Sequence, residues 1–268
     1  MKIAIAQIEC KVGDVKANLE KISGIVEKSA EAGSEVVLFP EMADTGYEVS
    51  RISAYASSWD PGPVEHIQKA AKKNRIHVIC GLSELSNGCI YNVLAVVDPD
   101  GRISGKYRKT HLAAFSPLEE DKTFTAGNRL EIVQIGDFKA GLMICYDLRF
   151  PEVARSLALA GAEMLLLSAA WPFPRLRHWD MLIAARAIEN QVFVVAANHV
   201  GANSISTFCG SSRIVDPYGV TVTSASEERE ALMVGDISKA DLEYLRDAMP
   251  VFKHRREKLY RDAFRKIL

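Results

Sequence analysis

Residues 130–152 read LEIVQIGDFKAGLMICYDLRFPE, and two features of this stretch decide the fold. The first is Gly136-Asp137, a turn signal between the apolar arms Leu130–Ile135 and Phe138–Ile144, which predicts an antiparallel hairpin. The second is the corner that follows. The apolar run Leu142-Met143-Ile144 climbs into Cys145, charge follows in Asp147 and Arg149, and Pro151 suits the first turn of a helix. A strand ending at such a corner can expose a thiol and set it near backbone N–H groups. Taken alone, Cys145 is better explained as one more small core residue, because free cysteine is among the most buried residue types.

Working outward, Asp98-Pro99-Asp100-Gly101 joins Tyr91–Val97 to Ile103–Tyr107, and Asp216–Gly219 joins Ser212–Val215 to Val220–Ser224. Both are hairpin signals. Lys2–Ile8, Val36–Phe39, Ile76–Cys80, Met164–Leu167, Val192–Ala197 and Leu232–Ile237 read as further strands. Helical spacing marks Val15–Ala30 with Gly33 as its stop, Val64–Lys73 after the Pro61-Gly62-Pro63 break, and Pro151–Ala160 closed by Gly161. It also marks His178–Asn190 and Lys239–Ala248. Ala113–Gly127 is polar, without a clean period, and is expected to be a loop able to cover a pocket. Hairpins mixed with crossover helices predict an α/β protein of two sheets packed face to face, with helices on both outer faces. A single doubly wound sheet is the runner-up, and the hairpins argue against it because such sheets are mostly parallel. The 268 residues show no repeat, low-complexity segment or linker. One domain over 1–268 is therefore expected, with Pro250–Leu268 a charged and aromatic tail.

Composition excludes several functions. The 33 basic and 34 acidic residues nearly cancel, which gives no electrostatic case for nucleic acid or an anionic membrane as partner. Five scattered cysteines without a CxxC pair suggest neither a disulfide framework nor a zinc site. There is no HExxH and no phosphate-binding glycine loop, so neither a metal nor a cofactor is expected. The N-terminal MKIAIAQIE enters a strand without the apolar core of a signal peptide, and no apolar run could span a bilayer. A soluble, cytoplasmic protein is expected.

Three reactive groups share one property: Glu41, Lys109 and Cys145 each follow directly after an apolar strand. In sheets with crossover helices, sites gather at the carboxyl ends of strands. Their chemistry is coherent. A thiol needs a base or a nearby positive charge to act as a nucleophile. Glu41 could take its proton, Lys109 could donate to a developing oxyanion, and the Tyr146 backbone N–H would be a second donor. A Cys–His dyad is the competing arrangement, with His111, His178 and His199 as its candidates.

The segments VVLFPEMADTGY around Glu41, GKYRKTHL around Lys109 and GLMICYDLRFPEVAR around Cys145 resemble the nitrilase superfamily of carbon–nitrogen hydrolases, over nearly the whole chain. The resemblance implies a four-layer αββα sandwich, a catalytic Glu41–Lys109–Cys145 triad and a thioester intermediate. It implies a second glutamate at Glu120, set by the Glu120…Phe124…Gly127 spacing, with Glu119 as the alternative. It also implies a homodimer or higher homo-oligomer, with Pro250–Leu268 as an interface arm. The block from Trp171 to Gly201, WPFPRLRHWDMLIAARAIENQVFVVAANHVG, is similar to that of ω-amidase-type members. Such members act on 2-oxoglutaramate-like or succinamate-like amides. A substrate carboxylate wants a cationic clamp. Arg149, Arg175 and Arg177 are the candidates, His178 could assist, and Tyr47 and Trp171 are candidate pocket walls. The alternatives are an N-carbamoyl amide hydrolase using the same triad, and a silent ligand-binding or assembly module.

Overall fold

The structure is a computed structural model and describes residues 1–59 and 62–261. Pro61 of the expected break, and residues 262–268 of the expected tail, lie outside the described residues. In chain order the elements are β1 (Lys2–Gln7), α1 (Val15–Glu31), β2 (Val36–Leu38), α2 (Val49–Ile52), α3 (Pro63–Asn74), β3 (His77–Ser86), β4 (Cys89–Val97) and β5 (Ile103–Arg108). There follow β6 (Ile132–Ile135), β7 (Phe138–Ile144), α4 (Pro151–Leu159), β8 (Met164–Ala169), α5 (Leu176–Asn190) and β9 (Phe193–Asn198). The last are β10 (Arg213–Val215), β11 (Thr221–Ser224), β12 (Ala231–Asp236) and α6 (Lys239–Ala248).

The strands form two mixed sheets, in the orders β12-β1-β2-β3-β4-β5 and β11-β10-β9-β8-β7-β6. Each contains a parallel trio, β1-β2-β3 in one and β7-β8-β9 in the other, flanked by antiparallel strands. The parallel connections run through the crossover helices, and four of the antiparallel pairings are hairpins, so both halves of the sequence pattern are present. Residues alternate between two cores, as the strand period of two requires. Ile3, Ile5, Val36 and Leu38 join Leu142, Ile144 and Leu166 between the sheets. Ala4, Ala6, Val37 and Phe39 instead pack with Leu19, Ile22 and Val26 of α1 and Val64 and Ile67 of α3. Each such aliphatic side chain contributes about 1.5–3 kcal/mol by leaving water. The four-layer αββα sandwich is thus the fold. Among the described residues no helix is long and apolar enough to cross a membrane.

The structure corrects two boundaries and adds one short helix. β3 runs to Ser86 rather than Cys80 and pairs with β4 across Asn87-Gly88, whose φ angles of 52° and 75° are both left-handed. An Asn-Gly pair is the sequence best suited to that turn. α5 begins at Leu176 rather than His178. The short helix Val49–Ile52 carries no periodic signal because it is one turn long.

Candidate active site

Glu41 sits in the turn just past β2, and that turn lies directly over β3. A Cβ on Gly81 would fall 2.6 Å from the Glu41 Cα and 2.4 Å from the Pro40 carbonyl, so only glycine lets the chain approach this closely. Asp44 pins the turn from its far end, accepting from both the backbone N–H and the hydroxyl of Ser83. Lys109 follows β5, and its N–H donates to the Asn92 carbonyl of β4. Cys145 ends β7 with φ 41°, a conformation that a non-glycine residue adopts at some cost. It opens the 3-10 turn Cys145–Arg149.

Four charged or ionisable groups converge there. The Lys109 Nζ donates to Glu41 Oε1 at 2.8 Å and to Glu120 Oε1 at 2.7 Å, and all three side chains are 1% exposed or less. Glu41 Oε1 also accepts from Asn92 Nδ2 at 2.6 Å, and Oε2 accepts from the Ala170 N–H at 2.8 Å. Glu120 is completed by the Tyr47 hydroxyl at 2.7 Å and the Ala113 N–H at 2.7 Å. Of the two adjacent glutamates, Glu120 therefore meets the lysine, while Glu119 turns outward to Lys122. An ammonium has three donors. Among the described residues two are used, and the third has no partner. Glu41 Oε2 has one partner and keeps capacity for a proton.

Charge explains the resting state. Burial raises the Cys145 thiol well above its usual range, the Glu41 charge adds to this, and Lys109 offsets only part. Burial likewise raises Glu41 despite Lys109. Burial alone would lower Lys109, but Glu120 and Glu41 outweigh it and hold the ammonium charged. One cation against two carboxylates leaves the cluster at about −1, and a thiolate would double that in a buried volume. The thiol stays protonated until something takes its proton. The charged groups acting on it are Glu41, Lys109 and Glu120.

The histidines of the competing dyad are engaged elsewhere. His111 Nδ1 lies 3.0 Å from Asp147, His178 faces Arg149, and His199 bonds the Glu41 carbonyl. Burial lowers His199 to about 4, so it is neutral and its Nε2–H donates. The Tyr47 ring packs edge-on to Phe208, and its hydroxyl is committed to Glu120 behind the lysine. Trp171 is buried, with its Nε1–H on the Arg175 carbonyl. The Arg149 guanidinium lies 4.5 Å from the Trp171 ring and 6.0 Å from that of Tyr146. Burial and then the Arg175 charge lower Arg149. Arg177 and His178 are exposed. Asn92 and the Ala170 N–H escaped the sequence reading. A lone amide within the apolar run Tyr91–Val97 was the one available signal for Asn92.

Asp44 and His199 make a separate prediction about stability. Burial pushes Asp44 up to about 6 from 3.8, so its contribution is lost as pH rises through that window. His199, lowered to about 4 from 6.5, loses its contribution as pH falls. The two slopes oppose one another. Asp44→Asn removes the first, so its stability relative to wild type should rise by about 2 kcal/mol between about pH 4 and pH 7. Urea midpoints across that range measure this, and a flat difference would contradict it.

A family model described as carbon–nitrogen hydrolase matches residues 2–247. The 2-oxoglutaramate amidase of Bacillus subtilis (strain 168) is 34% identical over 259 residues, covering 96% of this chain and 98% of that protein. Omega-amidase NIT2 of Mus musculus is 31% identical over 265 residues, covering 96% of each chain. Among solved structures, an amidase from Nesterenkonia sp. AN1 superposes with a TM-score of 0.86 at 28% identity, covering 98% of this chain and 96% of that one. That structure is a glutamate-to-glutamine variant carrying the acetamide moiety of fluoroacetamide on its active-site cysteine.

Proposed function

The chain belongs to the carbon–nitrogen hydrolase family, and from that premise we propose that it releases ammonia from a small linear amide bearing a carboxylate at its far end. The observation that carries the chemistry is the buried Lys109 ammonium shared by Glu41 and Glu120 beside Cys145. Cys145 sulfur attacks the amide carbon as its proton passes to Glu41 Oε2. The oxyanion is met by the third Lys109 N–H and by the Tyr146 N–H at the start of the 3-10 turn. Collapse breaks the C–N bond as Glu41 returns the proton to the departing nitrogen, which leaves as ammonia. Water, losing a proton to Glu41, then attacks the thioester carbon. The sulfur leaves as thiol and the product as acid. Glu120, held by Tyr47 and Ala113, keeps Lys109 charged and aimed.

The carboxylate preference rests on the mouth of the site. Arg149 and Arg175 repel one another, and among the described residues neither has a carboxylate partner within ion-pair distance. Such a pair is completed by an anionic substrate. The 2-oxoglutaramate amidase and omega-amidase relatives point the same way. Arg177 and His178 stand further out and Trp171 backs Arg149. The apolar side chains of Met181, Ile188, Tyr218 and Val220, each more than half exposed, support a homodimer or larger homo-oligomer of a cytoplasmic enzyme. The segment after Pro250 would form part of the interface.

An ammonia-release panel tests the substrate class, using 2-oxoglutaramate, succinamate, glutamine, short aliphatic amides and N-carbamoyl compounds. The ω-amides should be best. Arg149→Ala should raise KM for succinamate at least about tenfold, the size of one charged hydrogen bond, with little change in kcat. Preference for amides without a carboxylate would overturn this reading. Carbon dioxide released with ammonia would assign the N-carbamoyl reaction instead.

A further inference from the structure

The geometry points to Asp147 as a positioning residue that fixes Cys145 relative to Lys109. Those two groups come from different sheets: Cys145 ends β7 and Lys109 follows β5, and no strand ladder joins those strands. Apolar packing between sheets is not directional, so it does not by itself set a sulfur and an ammonium to ångström accuracy. Asp147 does so with hydrogen bonds to both segments. Its Oδ2 accepts from the Ile144 N–H, immediately before the nucleophile, at 2.9 Å, and from the Tyr107 hydroxyl at 2.8 Å. Its Oδ1 faces the Thr110 hydroxyl at 3.2 Å, the His111 N–H at 3.2 Å and His111 Nδ1 at 3.0 Å. Lys109 lies between Tyr107 and Thr110, so the segment that carries it is gripped on both sides.

The carboxylate suits this place in a way no neutral side chain does. Five donors converge on two oxygens, and an ionised carboxylate is the acceptor-only group with that capacity. Asp147 is wholly buried, and among the described residues the one basic side chain bonded to it is the His111 imidazole rather than a lysine or arginine. His111 is itself held flat on Phe150, with ring centroids 3.9 Å apart. An asparagine would turn its N–H groups on the donors of one oxygen, so either the bonds to Ile144 and Tyr107 or those to Thr110 and His111 are lost and the grip is loosened.

The inference rests on Cys145 as nucleophile, and the experiment separates the two claims. Succinamate turnover, iodoacetamide labelling of Cys145 read by mass spectrometry, and thermal melting are compared for the wild type, Asp147→Asn, Tyr107→Phe and Cys145→Ala. Asp147→Asn should lower kcat by about 100-fold, as a misplacement of about 1 Å does, while KM stays within about threefold. Labelling of Cys145 should change by less than about threefold, because the thiol itself is untouched. Partial unfolding would instead speed labelling by exposing the sulfur, and that result overturns the positioning role. So does an Asp147→Asn enzyme with wild-type kcat. If Asp147→Asn does not fold, Tyr107→Phe decides, since it deletes one hydroxyl: kcat about tenfold lower at constant KM supports the inference, and unchanged kcat overturns it. An active Cys145→Ala enzyme would remove the nucleophile reading itself. A silent Cys145→Ala beside a fully active Asp147→Asn would remove only the role of Asp147.

Discussion

Lys109→Met is expected to abolish turnover and to destabilise the fold at the same time. In the proposed mechanism the ammonium supplies one of two donors to the oxyanion, and loss of such a donor lowers kcat by about 100- to 1,000-fold. Among the described residues it is also the only cation bonded to two carboxylates that are both fully buried. Methionine fills a similar volume but leaves Glu41 and Glu120 unpaired, and breaking a buried pair in this way costs about 3–5 kcal/mol. The cost has a pH signature. Stripped of the lysine, the Glu41 carboxyl is pushed up further by burial, so it takes a proton in the folded state before it does in the unfolded chain. Its stabilising effect is then present at low pH and lost as pH rises. The deficit of the variant should be small near about pH 5 and full near about pH 8. Urea midpoints at the two values, read beside ammonia release, check both halves. A variant as stable as wild type at the higher pH would show that Lys109 is not what compensates the two glutamates.

The contrast between β7 and β3 shows where sequence reading works and where it stops. β7 is apolar to its end, so its strand, its hairpin partner and the reactive corner beyond it are all legible. β3 continues as Ser83-Glu84-Leu85-Ser86, and a reading based on apolar alternation ends it at Cys80. Ser83 and Glu84, both buried, stay in the sheet because each has a partner from elsewhere. Ser83 takes Asp44, and Glu84 takes Lys106 and Arg108. Burial by pairing leaves no hydrophobic signature. The same limit applies at the site. Glu41, Lys109 and Cys145 stand at strand ends, where topology singles them out. Glu120 lies in a 3-10 turn beside an identical residue; the resemblance favours it by spacing but leaves Glu119 open, and the bonds to Lys109, Tyr47 and Ala113 are what separate the two. The Ala170 N–H is backbone, and nothing in the identity of an alanine announces it.

Glu41→Gln should separate proton transfer from thiol reactivity. Glutamine keeps the size of the side chain, and its carbonyl can still accept from Lys109 and Asn92 at the position of Oε1. Its amide then faces the Ala170 N–H, so that one bond is lost. Turnover should fall by about 100- to 10,000-fold, because no group remains to accept the thiol proton and return it to ammonia. Cys145 should nevertheless become more acidic. The Glu41 charge is the second cause, after burial, that holds this thiol up. Removing it leaves Lys109 and Glu120 as a neutral pair. The pH at which iodoacetamide labels half-maximally should therefore move down in the variant, while ammonia release disappears. Fold stability should change little, since a buried carboxylate is exchanged for an uncharged amide at the cost of one hydrogen bond. In the wild type the same logic places the acid limb of kcat/KM above the ordinary carboxylate range, because Glu41 must be ionised and burial raises it. A labelling profile that moves up in Glu41→Gln would mean that Glu41 assists ionisation at rest. The thiol proton would then already lie on the carboxylate before substrate arrives.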